Sequence, residues 1–219
     1  IKENTLMKRA KELNRKQHWE SVYETKNPEQ VSWTQEKPIT SLDFLDSFML
    51  DKDAKIIDVG GGDSKLVDYL LQEGYTNITV LDISAKALEK AKYRLGDKSK
   101  QIKWIVSDIT EFKPTETYDV WHDRATFHFL TTAQERDKYF QIAKKYVSNF
   151  LIIGTFSKDG PEKCSGLKIK QYCEQELIEL FSNDFEKITC LNNNHITPFK
   201  TLQNFLFCSF KKKMNQNIF

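Results

Sequence analysis

From Lys55 onward, short apolar runs alternate with segments whose apolar positions recur every three or four residues. The runs Lys55–Val59 (KIIDV), Asn77–Leu81, Ile102–Val106, Tyr118–Trp121 and Phe150–Phe156 read as strands. Ser64–Glu73, residues 85–95, 132–147 and a stretch near 173–182 read as helices. Gly74 and Gly96 are placed to end the first two of these, and Ser84 to cap the start of the second. Strand–helix alternation predicts a parallel sheet covered on both faces, because parallel neighbours need a crossover between them. The pattern then changes. Two extended stretches, near 185–192 and 203–211, follow with no helix between them and predict an antiparallel hairpin. The expected architecture is a single α/β domain with a seven-stranded mixed sheet, in which only the strand near 203–211 runs against the rest. Upstream, residues 5–26 read as a helical arm, followed by a loop through Asn27-Pro28 and Lys37-Pro38 and a second helix over Ile39–Met49. The chain thus divides into an arm (1–50), an α/β domain (51–213) and a short tail (214–219).

The 33 Lys and Arg residues nearly balance 31 acidic ones, for a net charge of +2. That balance gives no clear nucleic-acid signal, since a duplex binder concentrates basic residues on one face. The run Lys211-Lys212-Lys213 reads as a solvated tail. No stretch of eighteen apolar residues suggests a membrane span, and the polar start IKENTLMKRAKELNRK lacks a secretory core. Cys164, Cys173, Cys190 and Cys208 form no CxxC pair, so zinc and redox motifs are unsupported and no metal cluster is visible. Read as unpaired, they point to a reducing cytoplasm.

Chemistry concentrates at the ends of the first three predicted strands. Asp58-Val59-Gly60-Gly61-Gly62 joins the first strand to its helix, and glycines there let peptide N–H groups approach a ligand. Asp82, with Ile83 beside it, closes the second strand, where a carboxylate can accept ribose hydroxyls or interact with the following helix dipole. Asp108 closes the third and can receive an adenine amine while Ile109 packs on the ring. A dinucleotide fingerprint would need glycine where the chain has Lys65, and no tyrosine is followed four residues later by lysine. S-adenosylmethionine therefore fits better than a nicotinamide dinucleotide.

With these residues the chain resembles the class I S-adenosylmethionine-dependent methyltransferases, with their Rossmann-like fold. Motif I of the family is matched by Asp58-Val59-Gly60-Gly61-Gly62, motif II by Asp82 and the adenine-binding acid by Asp108; Ser64 stands where a further glycine is usual. His18-Trp19-Glu20-Ser21-Val22-Tyr23 and Val31-Ser32-Trp33-Thr34-Gln35 are similar to the aromatic lid of the thiopurine S-methyltransferase-like branch, and Asp123-Arg124-Ala125 to its Asp-Arg-Gly motif. The resemblance implies that Trp19, Tyr23 and Trp33 close over the cofactor and that Asp123 and Arg124 lie near the acceptor.

Methyl transfer from a sulfonium chiefly requires alignment in a dry site, and a general base is optional. His122, Asp123 and Arg124 are nonetheless the catalytic candidates: His122 as a base, Arg124 as a carboxylate clamp or structural ion pair, Asp123 as a holder of the cofactor's methionine end or of Arg124. His128, between Phe127 and Phe129, reads as a hydrogen-bonded wall residue, and His195 as part of a solvated hairpin turn. A small-molecule acceptor attacking through sulfur or another soft heteroatom is the leading expectation. The alternatives are protein lysine or amine methylation and a non-catalytic cofactor-binding module.

Overall fold

The computed structural model describes residues 2–214, with side chains described from Asn14 onward. Most of the expected tail, residues 215–219, lies outside the described residues. The arm is α1 (Lys2–Thr25), followed by α2 (Ile39–Ser47). The alternating part comprises β1 (Ile56–Val59), α3 (Leu66–Gln72), β2 (Ile78–Asp82), α4 (Ala85–Leu95), β3 (Ile102–Val106), β4 (Tyr118–Arg124), α5 (Ala133–Tyr146) and β5 (Val147–Phe156). A two-strand flap, β6 (Lys163–Cys164) and β7 (Leu167–Lys168), precedes α6 (Glu174–Phe181), β8 (Phe185–Ile196) and β9 (Leu202–Lys212).

The seven long strands form one sheet in the order β3-β2-β1-β4-β5-β9-β8. The first five are mutually parallel, and β9 pairs antiparallel with both β5 and β8, so it alone is reversed. Alternate residues of the central strands enter opposite cores, as the period of two dictates. Ile57, Trp121 and Ile153 join the Tyr139 and Phe181 side, whereas Ile56, Val120 and Ile152 join Leu42, Leu66 and Leu88. Burial on both faces explains why β1 and β5 read as continuous apolar runs. Ser84 caps α4 by accepting from Ala87 N, and a Thr132–Glu135 capping box opens α5. In the flap, Ser165 and Gly166 have φ of 49° and 77°, the pair of positive values that a tight two-residue hairpin requires.

The structure corrects four expectations. Cys190 and Cys208 are disulfide-bonded, because the β8–β9 register sets them opposite one another; only Cys164 and Cys173 are free. Lys211 and Lys212 belong to β9 rather than a tail, and Lys212 donates to the carbonyl of Lys144 while lying over the Phe185 ring. The Asn192–Ile196 stretch continues β8, which moves the hairpin turn to residues 197–201. His195 is accordingly buried, not solvated. Among the described residues, no helix is long and apolar enough to cross a membrane.

Candidate functional site

A cleft opens at the carboxyl ends of β1 to β4, where ligands bind in open α/β sheets. Its floor is the glycine loop. Gly60 N and Gly61 N both donate to the Leu81 carbonyl, at 2.7 and 3.2 Å, which straps the loop to β2. Gly60 has φ +68°, and a Cβ there would fall 1.7 Å from Thr126 Oγ1; one on Gly62, at φ +51°, would fall 2.6 Å from the Tyr23 hydroxyl. Both positions therefore demand glycine on conformation and on space. The outgoing arm is held by Arg94 in the last turn of α4. Its Nη1 donates to Asp63 O at 2.7 Å and Nη2 to Ser64 O at 2.8 Å, while Nε and Nη2 form a fork onto Asp68.

Three acids follow the strand ends. Asp58 is buried in β1, and its register partner on β4 is His122. His122 Nδ1 lies 2.7 Å from Asp58 Oδ1 and Nε2 lies 2.9 Å from Ser41 Oγ, so both ring nitrogens are engaged. Asp82 is buried with its carboxylate accepting from Ser84 N at 2.8 Å. Burial, reinforced by Asp63 and Asp58, pushes its pKa up to about 7, against the lowering effect of the backbone N–H groups. Asp63, also in the cleft, is raised by burial as well. Asp108 Oδ1 accepts from Thr110 N and Thr110 Oγ1, both at 2.8 Å, and Oδ2 accepts from Arg15 Nη1 at 3.2 Å.

The arm roofs the cleft. Glu20 on α1 accepts from Ala85 N, Lys86 N and Ser84 Oγ at 2.9 to 3.1 Å, joining α1 to the start of α4, where the helix dipole favours an anion. Trp19 sits 5.6 Å from Trp33 and 5.1 Å from Phe129, ring centre to ring centre, and Tyr23 completes the cluster. All four aromatics line the cleft. The loop carrying Trp33 is pinned from behind by His195, whose Nε2 is 2.6 Å from Ser32 O, and Asn193 donates to Thr40 Oγ1 in the first turn of α2.

At the β4 end the three catalytic candidates part company. Arg124 lines the cleft, donates Nη1 to Trp33 O at 3.0 Å and lies over Phe205; its Nε and Nη2 are buried with no protein partner. Burial lowers its pKa to about 10, still charged at neutral pH. Asp123 does not line the cleft: it is fully buried, and its Oδ1 accepts from Thr126 N and Phe127 N. Strand alternation turns it away from its neighbours His122 and Arg124, and burial lifts its pKa to about 6. His128 is buried outside the cleft lining rather than hydrogen-bonded in its wall, and neither ring nitrogen has a protein partner; burial and then Arg124 lower its pKa to about 3, leaving it neutral. Of the expected cofactor residues, Asp58, Gly60, Gly61, Asp82, Ile83, Asp108, Ile109, Trp19 and Trp33 all line the cleft, and Gly62 lies beneath Tyr23 at its edge. Sequence reading missed Arg15 and Arg94, which join through contacts distant in sequence. It quoted Glu20 only as part of the arm.

A model for the family described as "Methyltransferase domain" matches residues 56–149. The mouse "eEF1A lysine and N-terminal methyltransferase" is 26% identical over 133 residues, 60% of this chain and 19% of that protein. The Anoxybacillus flavithermus "Malonyl-[acyl-carrier protein] O-methyltransferase" is 38% identical over 82 residues, 36% of this chain and 30% of its own length. The chain thus spans 19% to 30% of the length of these curated relatives. Among solved structures, an S-adenosylmethionine-dependent methyltransferase from Anabaena variabilis superposes with a TM-score of 0.69 at 14% identity, covering 90% of this chain and 93% of that one. The N-methyltransferase NodS of Bradyrhizobium japonicum, with bound S-adenosylhomocysteine, gives 0.60 at 14% identity, covering 82% and 90%. Residues 56–149 thus match the methyltransferase-domain family, and the chain has the fold of solved S-adenosylmethionine-dependent methyltransferases.

Proposed function

We propose that the chain transfers the methyl group of S-adenosylmethionine to a small acceptor that attacks through sulfur or another soft heteroatom without help from a protein base. The observation that carries this reading is the order of groups along the cleft. Sheet order sets Asp108, Asp82, the glycine loop and Arg124 at the ends of β3, β2, β1 and β4 in turn. They span three inter-strand gaps of about 4.8 Å each. An amine acceptor, a ribose acceptor, a close-approach floor and a cation in that sequence suit adenine, ribose, the thioether region and an amino-acid carboxylate. Arg124 holds that carboxylate through its two free N–H groups, since a guanidinium fork matches a carboxylate. When bound, the cofactor supplies a methyl carbon made electrophilic by its sulfonium.

The protein's share is to orient and to exclude water. Trp19, Trp33 and Phe129 wall the cleft, and an aromatic face favours a cation. Proton acceptors are poorly placed: His122 is engaged at both nitrogens, His128 stays neutral outside the cleft lining, and burial raises Cys164 to about 12. A thiolate or neutral nitrogen suits that setting better than an ammonium group, in keeping with the similarity of the aromatic arm to the thiopurine S-methyltransferase-like branch. Protein lysine methylation is the second reading, favoured by the lysine methyltransferase named among the relatives. Labelled cofactor incubated with cell extract separates them. Label in the small-molecule fraction is expected, and label confined to protein overturns the small-acceptor reading.

A further inference from the structure

Arg15 reaches from α1 to the outer end of the cleft and lines it. Its Nη1 donates to Asp108 Oδ2 at 3.2 Å and its Nη2 to Glu135 Oε1 at 2.5 Å, with only 15% of the side chain exposed. Glu135 is itself fixed, because its Oε2 accepts from Thr132 N and Thr132 Oγ1 in the cap of α5. The guanidinium is therefore held between two anchored carboxylates. A guanidinium carries five N–H donors, so donors remain after these two bonds, and Asp108 Oδ2 keeps a second lone pair. The rim thus presents a hydrogen-bond acceptor and a donor side by side. An adenine edge presents the complement, an amine beside an unprotonated ring nitrogen. Hypoxanthine reverses it, with a carbonyl beside a ring N–H.

We propose that Arg15 is a specificity-determining residue for the cofactor's base. Asp108 accepts from the adenine amine while Arg15 donates to the ring nitrogen next to it. This rests on the cofactor reading above and deepens it. Because Arg15 belongs to α1, base recognition requires the arm to be seated, which couples closure of the roof to the identity of the nucleoside.

The test is calorimetry on the full chain with S-adenosylhomocysteine and its deaminated analogue, S-inosylhomocysteine, for wild type, Arg15→Met, Arg15→Lys and Glu20→Gln. Arg15→Met is expected to lose about tenfold or more in affinity for the adenine ligand, the loss of one hydrogen bond from a charged donor. Its preference for adenine over hypoxanthine should shrink, with partial recovery in Arg15→Lys. Glu20→Gln loosens α1 and with it the seat of Arg15, so it should also narrow the preference for adenine, though less than Arg15→Met does. If Arg15→Met weakens both ligands alike, or binds the adenine ligand within twofold of wild type, the assignment is overturned. A wild type that binds neither ligand overturns the cofactor reading together with it, whereas wild-type binding beside an indifferent Arg15→Met overturns Arg15 alone.

Discussion

Replacing Asp82 by Asn should stabilise the free protein and weaken it as a cofactor binder, two effects of opposite sign from one atom. In the free chain the carboxylate is buried with Asp58 and Asp63 near it, and its pKa stands at about 7 against 3.8 for the ordinary group. A carboxylate raised on folding contributes stability that is present below the unfolded pKa and is lost as pH rises through about 7. At pH 8 the ionised Asp82 is therefore a net cost, and Asn removes it. A rise in Tm of about 2–4 °C is expected for each kcal/mol recovered. In the proposed complex the same charge would accept ribose hydroxyls, and losing it should cost about 1.5–3 kcal/mol, roughly 10- to 150-fold in Kd. Binding that requires the ionised form also weakens as pH falls: at pH 6 only about a tenth of the sites are ionised, so affinity should drop roughly tenfold from its plateau above pH 8. Asp63, which shares the cleft and is likewise raised, leaves a residual slope in the variant. Calorimetry with S-adenosylhomocysteine from pH 5.5 to 8.5 reads both quantities. An Asp82→Asn chain that keeps the wild-type affinity and the full pH slope would refute the reasoning.

Trp33→Ala should lower cofactor affinity while the melting temperature holds, because Trp33 is only half-buried on the roof; a protein that instead unfolds makes the cluster core packing. Glu20→Gln removes the anion that accepts from Ala85 N and Lys86 N, so hydrogen exchange over residues 15–36 should accelerate in the free chain and recover with ligand. Unchanged exchange would show that α1 is held by something else. His122→Phe strands the buried Asp58 carboxylate, with an expected loss of about 3–5 kcal/mol in chemical unfolding. A stable His122→Phe chain with only kcat reduced would restore His122 as a base. Reducing Cys190–Cys208, which closes an 18-residue separation, should cost about 3 kcal/mol, and an unchanged Tm in reductant would count against the bond.

Fold and cleft floor were legible because their signals are local. KIIDV followed by three glycines announces a buried strand and a close-approach loop within nine residues, and Asp82 and Asp108 repeat the same position at the next two strand ends. The hairpin was legible too, although its first strand was ended four residues early because the polar Asn192–Asn194 run looks like a turn and is the exposed edge of β8. What sequence could not supply is pairing across distance. Arg15 meets Asp108 across 93 residues, His195 meets Ser32 across 163, and the disulfide depends on a β8–β9 register that no spacing rule gives. Asp123 illustrates the same limit at short range. It neighbours two cleft residues in sequence, yet alternation along β4 sends it into the opposite core.

The most direct test is a crystal structure of the chain with S-adenosylhomocysteine. The account predicts the base at the rim formed by Asp108 and Arg15, the ribose hydroxyls on Asp82, and the amino-acid carboxylate on the two free N–H groups of Arg124. Ligand lying elsewhere, ribose hydroxyls that leave Asp82 untouched, or a nicotinamide dinucleotide bound in preference would contradict it.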